Sequence, residues 1–270
     1  MRYAFGAVAV ATMLGVSMQA RANPRPLPFT YTYETLPEGE AELEQFVDMT
    51  PVKALSATTG QPLFYLAPQF QTEFEYGITN RLELGLYLTF APTTPSDLTN
   101  GATLPEGNGV KQRLRLRLAE EGAWPLDVAL YGELVENDRE IEIEAKIILQ
   151  RRLGRARVAV NLWAEREYYF ANRRDWVLNP TAGVTYEVTP TFQPGIEYWM
   201  RAEFPDPKPP SPRPFNVLPH HFVGPAMLLN FGRIWWSTGV YVRLDDFGRS
   251  LSAGDAFGSV WFRSIIGVGL

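Results

Sequence analysis

Lys111-Gln-Arg-Leu-Arg-Leu-Arg-Leu118 sets Lys111, Arg113, Arg115 and Arg117 at alternate positions, with Leu114, Leu116 and Leu118 in the other phase. A helix would scatter these cations around its circumference, whereas a strand sends successive side chains to opposite faces. The stretch therefore reads as a strand with one charged and one apolar face. The same period returns in Arg81-Leu-Glu-Leu-Gly-Leu-Tyr-Leu-Thr-Phe90, where every even position is apolar. It returns again in Glu140-Ile-Glu-Ile-Glu-Ala-Lys-Ile147 and in Arg155-Ala-Arg-Val-Ala-Val-Asn-Leu162.

Followed along the chain, the alternation predicts strands at 40–49, 65–77, 81–91, 109–119, 126–136, 140–152, 155–170, 174–188, 191–203, 220–231, 233–245 and 258–270. Turn-forming pairs separate them, among them Thr79-Asn80, Asn137-Asp138, Leu153-Gly154 and Asn172-Arg173. Phe29-Thr-Tyr-Thr-Tyr33 also alternates, and residues 23–39 read as a lead-in segment or one extra strand. It stays outside the count because an even number of strands returns both termini to the same side.

Strand length separates a membrane barrel from a soluble sandwich. Strands in soluble proteins average about 5–6 residues, whereas a tilted strand of about 9–11 crosses a bilayer core. Most of the segments above meet the longer requirement. Connections also alternate, short after 77, 152, 188 and 231 and long over 92–108, 204–219 and 246–257. Short turns at one end and long loops at the other are the arrangement of outer-membrane barrels. The expected fold class is all-β: a transmembrane, antiparallel, up-and-down β-barrel of about twelve strands.

The first 22 residues fit this destination. Met1-Arg2 is a basic start, Tyr3 to Val16 is apolar or small, and Ala20-Arg-Ala22 closes with a small-x-small triplet. These are the three regions of a secretory signal peptide. Cleavage is expected after Ala22, leaving 23–270 as the mature barrel in the outer membrane. The mature chain then carries 23 basic and 30 acidic side chains.

Composition removes several functions. With no Cys and two His, a disulfide scaffold, a thiol nucleophile and a thiolate zinc site are excluded, and a His-rich metal site is disfavoured. The excess of acid argues against a nucleic-acid partner. No cofactor, metal or catalytic residue is expected. His220-His221, beside the Pro-rich loop Asp206–Phe215, could form a hydrolase constellation with Ser211 or Asp206, but no motif surrounds any serine. Trp199, Trp235 and Trp261 fall in the lumenal phase, while tryptophans near strand ends suit an interfacial girdle.

In the last strand Val260, Phe262, Ile266, Val268 and Leu270 share one face. This resembles the C-terminal strand that the barrel-assembly machinery of Gram-negative outer membranes reads, with Leu270 where Phe is usual. Glu75–Tyr87 and Gly224–Arg233 are similar to segments of barrels grouped under a phenol-degradation or hydrophobic-transport heading. The resemblance implies outer-membrane lipid and the assembly machinery as partners, and passage of an unidentified small solute.

On the reading that the leucines face lipid, Lys111, Arg113, Arg115 and Arg117 line the lumen. Two-residue turns at Asn137-Asp138 and Leu153-Gly154 would set Glu133 opposite Glu142, Glu142 opposite Glu165, and Glu140 opposite Glu167. Directly opposed carboxylates repel, so this row either is neutralised by lumenal Arg115 or Arg201 or binds a cation or basic solute. The expected function is a narrow pore or solute-binding lumen. The alternatives are a non-conducting barrel with a structural or envelope role, and a barrel-borne hydrolase.

Overall fold

The computed structural model describes residues 22–56, 58–91, 98–99, 108–206, 219–245 and 258–270. Its strands are β1 (Ala41–Ser56), β2 (Pro62–Gly77), β3 (Leu82–Phe90), β4 (Gly109–Arg117), β5 (Asp127–Asn137) and β6 (Glu140–Leu153). There follow β7 (Ala156–Tyr169), β8 (Arg174–Leu178 continued by Thr181–Tyr186), β9 (Phe192–Asp206), β10 (His220–Asn230), β11 (Ile234–Arg243) and β12 (Val260–Gly269). Each pairs antiparallel with its neighbours in sequence. Pairing of β1 with β12, from Glu42 opposite Gly269 to Met49 opposite Phe262, closes twelve strands into a barrel.

The pleat sorts the side chains. Outward positions such as Leu86, Leu114, Leu130, Ile143, Leu162, Ile196 and Val240 are exposed, while the intervening Arg113, Arg115, Glu144, Glu165 and Glu197 are buried in the lumen. Exposed Phe90, Tyr168, Phe170, Trp176 and Phe204 ring the end that carries the long loops. Tyr76, Trp124, Tyr186 and Phe231 ring the end that carries the short turns. An apolar belt between two aromatic girdles is the surface a bilayer requires.

Three segments depart from the sequence expectation. β1 runs on to Ser56 through Pro51, which sits opposite Leu66, and its end bonds a two-residue strand, Leu98–Thr99. Proline removes one ladder donor, yet the strand continues seven residues past the expected end at 49. β8 breaks at Asn179-Pro180, where Asn179 donates from its backbone to Trp163 and Pro180 accepts from Met200.

The third departure is the largest. Of the two readings, lead-in segment or extra strand, residues 22–36 form no strand: they are a loop inside the lumen, with Leu27 and Leu36 fully buried. Their backbone bonds to lumenal side chains instead of a neighbouring strand. The Phe29 and Thr30 amides donate to Glu197, Tyr31 to Asn161 (2.7 Å), Tyr33 to Gln150 (3.1 Å) and Leu36 to Glu83 (2.6 Å). Asn161 returns a bond to the Tyr31 carbonyl. The side chains dock in separate wells. Phe29 stacks on Trp199 at 4.8 Å and meets Tyr241 and Trp261 edge-on. Leu27 fills a hollow that exists because Gly183 has no Cβ: one there would lie 2.5 Å from the leucine. The loop enters and leaves by the turn end, and so closes that half of the lumen.

The lipid-facing assignment can be tested by depth. Leu162→Arg, in mid-strand, should destabilise the barrel by about 2–4 kcal/mol, whereas Leu116→Arg, one residue from the turn end, should cost about 0–1 kcal/mol. Urea unfolding in lipid vesicles measures both, and equal costs would contradict the assigned depth.

Candidate pore lining and constriction

Among the described residues, two of the lumen's charge clusters lie one above the other. In the turn half, Glu42 lies opposite Glu75 and Glu44 opposite Glu73 across β1 and β2, an arrangement that repulsion alone would not permit. Arg113 reverses the sign. Its guanidinium bonds Glu73 at 2.6 Å, Glu83 at 2.7 Å and Glu75, all with essentially no exposure. Arg115 adds a second bond to Glu83 at 2.6 Å. Arg25, carried in on the lumenal loop, reaches Glu44 at 3.1 Å, Glu73 at 3.5 Å and Glu75 at 3.6 Å. Gly85 makes the approach possible, because a Cβ there would stand 2.5 Å from Nε of Arg113.

The loop half holds the acidic row, in a register that corrects the sequence expectation. Glu142 pairs with Glu167, Glu144 with Glu165, and Glu140 with Tyr169. Across β5 and β6, Glu133 faces Glu144, and Glu142 faces Val135. Both turns lie one residue later than expected. Leu153 pairs with Ala156, leaving Gly154-Arg155 as the turn, with Gly154 in the left-handed region at φ 62°. At the other hairpin, Oδ1 of Asn137 accepts from the amides of Arg139 (2.8 Å) and Glu140 (3.0 Å), and this holds Asn137 as the last strand residue. A slip of one residue in the turn moves register by two and leaves every side chain on its expected face. The faces are therefore unchanged, but Glu133, Glu144 and Glu165 stand side by side, Glu144 taking the middle place expected of Glu142.

Cations share this row unequally. Arg201 pairs with Glu165 at 3.1 Å, Glu167 at 2.7 Å and Glu203 at 3.1 Å, so part of the neutralisation expected from lumenal arginine is present. Arg115 takes no part, being held by Glu83. Lys111 lies 3.7 Å from Glu133. Lys146 bonds Glu144 and sits in a cage of three rings, 3.6 Å from the centroid of Trp163, 4.0 Å from Tyr131 and 4.5 Å from Tyr31. Ring faces attract such a cation. Carboxylate oxygens of Glu142, Glu144 and Glu165 lie within 4.8 Å of one another, and among the described residues Glu142 has no ion pair. Glu140 and Arg117 lie at the rims, Glu140 beside Arg139 at 3.9 Å and Arg117 bonded to the Asn80 carbonyl.

Between this row and the lumenal loop remains a cavity of about 110 Å³, with Phe29 and Tyr31 of the loop in its lining. Glu34, lower on the same loop, ties it to the wall through Arg157 at 2.9 Å and Arg152 at 3.4 Å. Burial raises the Glu34 carboxyl, but Arg157, the Gln150 amide and Arg152 outweigh it and hold its pKa below the ordinary value.

The hydrolase constellation does not assemble among the described residues. Asp206 pairs with Arg166 at 3.1 Å, and Ser211 lies outside them. Nδ1 of His221 meets the Tyr198 hydroxyl at 2.7 Å, while His220 meets Arg243 at 2.6 Å and Asp245 at 3.2 Å.

Arg113 is the residue whose loss should be felt most. Arg113→Met leaves three buried carboxylates short of their shared cation and should cost about 3–5 kcal/mol. Arg113→Lys should recover only part of that, since an ammonium cannot present a planar fork to three partners. Urea unfolding of the detergent-solubilised barrel measures both, and a Lys variant as stable as the parent would show that geometry is unimportant here.

No protein-family profile matches the chain, and no curated protein matches it in sequence. Solved structures do. An outer membrane channel from Pseudomonas putida F1 is 12% identical, with 88% of this chain and 98% of that chain aligned at a TM-score of 0.58. The NanC porin is 10% identical, with 84% of this chain and all of that chain aligned at a TM-score of 0.57. At these identities the likeness is one of fold: the chain has the barrel architecture of outer-membrane channels.

Proposed function

We propose that this protein is an outer-membrane barrel that passes or holds a small solute in a lumen narrowed by its own N-terminal segment. The observation that carries the reading is the geometry of the lumen: a closed barrel whose loop half keeps a charged and aromatic cavity, above a half closed by residues 22–36. Eight strands can be filled by side chains and sixteen leave a wide channel, so twelve with an inserted loop suit a narrow path. The leader sequence supports export, and the two matched barrels, described as a channel and a porin, support passage over catalysis. In this arrangement the short turns and both chain ends face the periplasm. Outer-membrane lipid meets the apolar belt, and the assembly machinery reads β12.

Five carboxylates of the row, Glu133, Glu142, Glu144, Glu165 and Glu167, share Lys111, Lys146 and Arg201. Arg25 and Arg263 also line the cavity but are paired with Glu44 and Asp48, so the row itself suits a cation or a basic solute, and Glu142 is the carboxylate placed to meet it. A second reading, a non-conducting barrel with an envelope role, draws on the same inserted loop, because a permanently seated loop would block the path.

Two measurements decide between these readings. The intact barrel in a planar bilayer should show a small conductance, and a variant lacking residues 23–35 should conduct several-fold more. Silence from both would favour the structural barrel. Separately, Glu142→Gln should shift the reversal potential toward weaker cation preference while leaving the barrel as stable or more so. Unchanged selectivity with a clear loss of stability would make the glutamate row a scaffold.

A further inference from the structure

The turn-half cluster does not balance. Glu42, Glu44, Glu73, Glu75 and Glu83 are all at most 1% exposed, and the cations bonded among them are Arg25, Arg113 and Arg115. Five carboxylates face three guanidiniums, and Glu42 is the one of the five that none of them bonds. Among the described residues it has no ion pair, and it lies directly opposite Glu75. Its two oxygens are nevertheless held. Oε1 accepts from the Trp235 indole, and Oε2 accepts from the backbone nitrogen of Asn23 at 2.6 Å. The wall leaves room for it: a Cβ on Gly267 would lie 2.5 Å from Oε1. A buried carboxylate surrounded by others and bonded only to neutral donors is costly, and a cation is what the site lacks.

The nitrogen that touches Glu42 is the one that cleavage after Ala22 would release. We propose that the α-ammonium created by processing between Ala22 and Asn23 is the buried counter-ion of Glu42, and that processing thereby fastens the N-terminal segment in the lumen. Hydrolysis breaks the Ala22–Asn23 amide. Water supplies the oxygen of the leader's new carboxylate, and the Asn23 nitrogen, freed before the barrel closes around it and protonated at neutral pH, enters the lumen as a cation. The same atom changes from a neutral donor to a charged one, and its bond to Glu42 becomes charge-assisted. Asn23 is positioned for this by its own side chain, which donates to the Glu34 carbonyl at 3.4 Å, and by the Arg25 anchor two residues on.

The test combines the site of processing with the reactivity of the amine. Mass spectrometry of the protein extracted from outer membranes should place its first residue at Asn23. Labelling of the folded, heat-modifiable barrel with an α-amine-selective acylating reagent should be at least tenfold slower in the parent than in Glu42→Gln. A form with Gly-Ser placed before Asn23 moves the amine off Glu42 without altering the barrel, and should label as fast as the denatured chain. A first residue other than Asn23 would overturn the proposal, as would equal labelling rates in the parent and Glu42→Gln, or protection of the extended form. Because labelling is read without any current, a barrel that conducts nothing would count against the proposed function and leave this result standing.

Discussion

Hydrocarbon offers no partner to a peptide N–H or C=O, so a chain that crosses it with strands must close them into a ring. Pairing of β1 with β12 meets that demand, and much else follows from closure at this strand number. A twelve-strand ring is too wide for inward side chains to meet across it. It therefore encloses a space that must be filled by something other than the wall. Here the filling is the chain's own residues 22–36. Their exposed backbone, out of reach of water and of any strand, is bonded by Glu197, Asn161, Gln150 and Glu83.

The same closure dictates the electrostatics. Alternation puts every second residue inside, and in this chain many of those residues are charged. Repulsion between facing glutamates is relieved differently at the two levels. In the turn half, guanidiniums span several carboxylates each, and Gly85 and Gly267 open the space they and Glu42 occupy. The turn half is thus tightly cross-linked through charges with almost no exposure. In the loop half, Arg201 and Lys146 satisfy only part of the row, the rest faces a cavity, and Lys146 is held as much by aromatic faces as by Glu144. The lower level holds the segment in place, and the upper level keeps Glu142, a carboxylate with no ion pair among the described residues.

Strand identity, the two faces and the barrel class were legible in the sequence, because period two is a local property and length against a bilayer is arithmetic. The inward phase of Glu133, Glu142, Glu165, Arg113 and Arg115 was legible for the same reason. What the sequence determined by itself was therefore the face of each side chain and the number of crossings. Register was not among these. Nothing in the alternation distinguishes Asn137-Asp138 from Asp138-Arg139 as the turn, and the choice rests on the Asn137 side chain capping two amides and on the left-handed Gly154. Nor was the place of residues 22–36, whose alternation matches that of a wall strand. Only the assembled barrel brings Glu197, Asn161, Gln150 and Glu83 from four different strands to one loop, and contacts between residues 47 to 168 positions apart leave no local period to read.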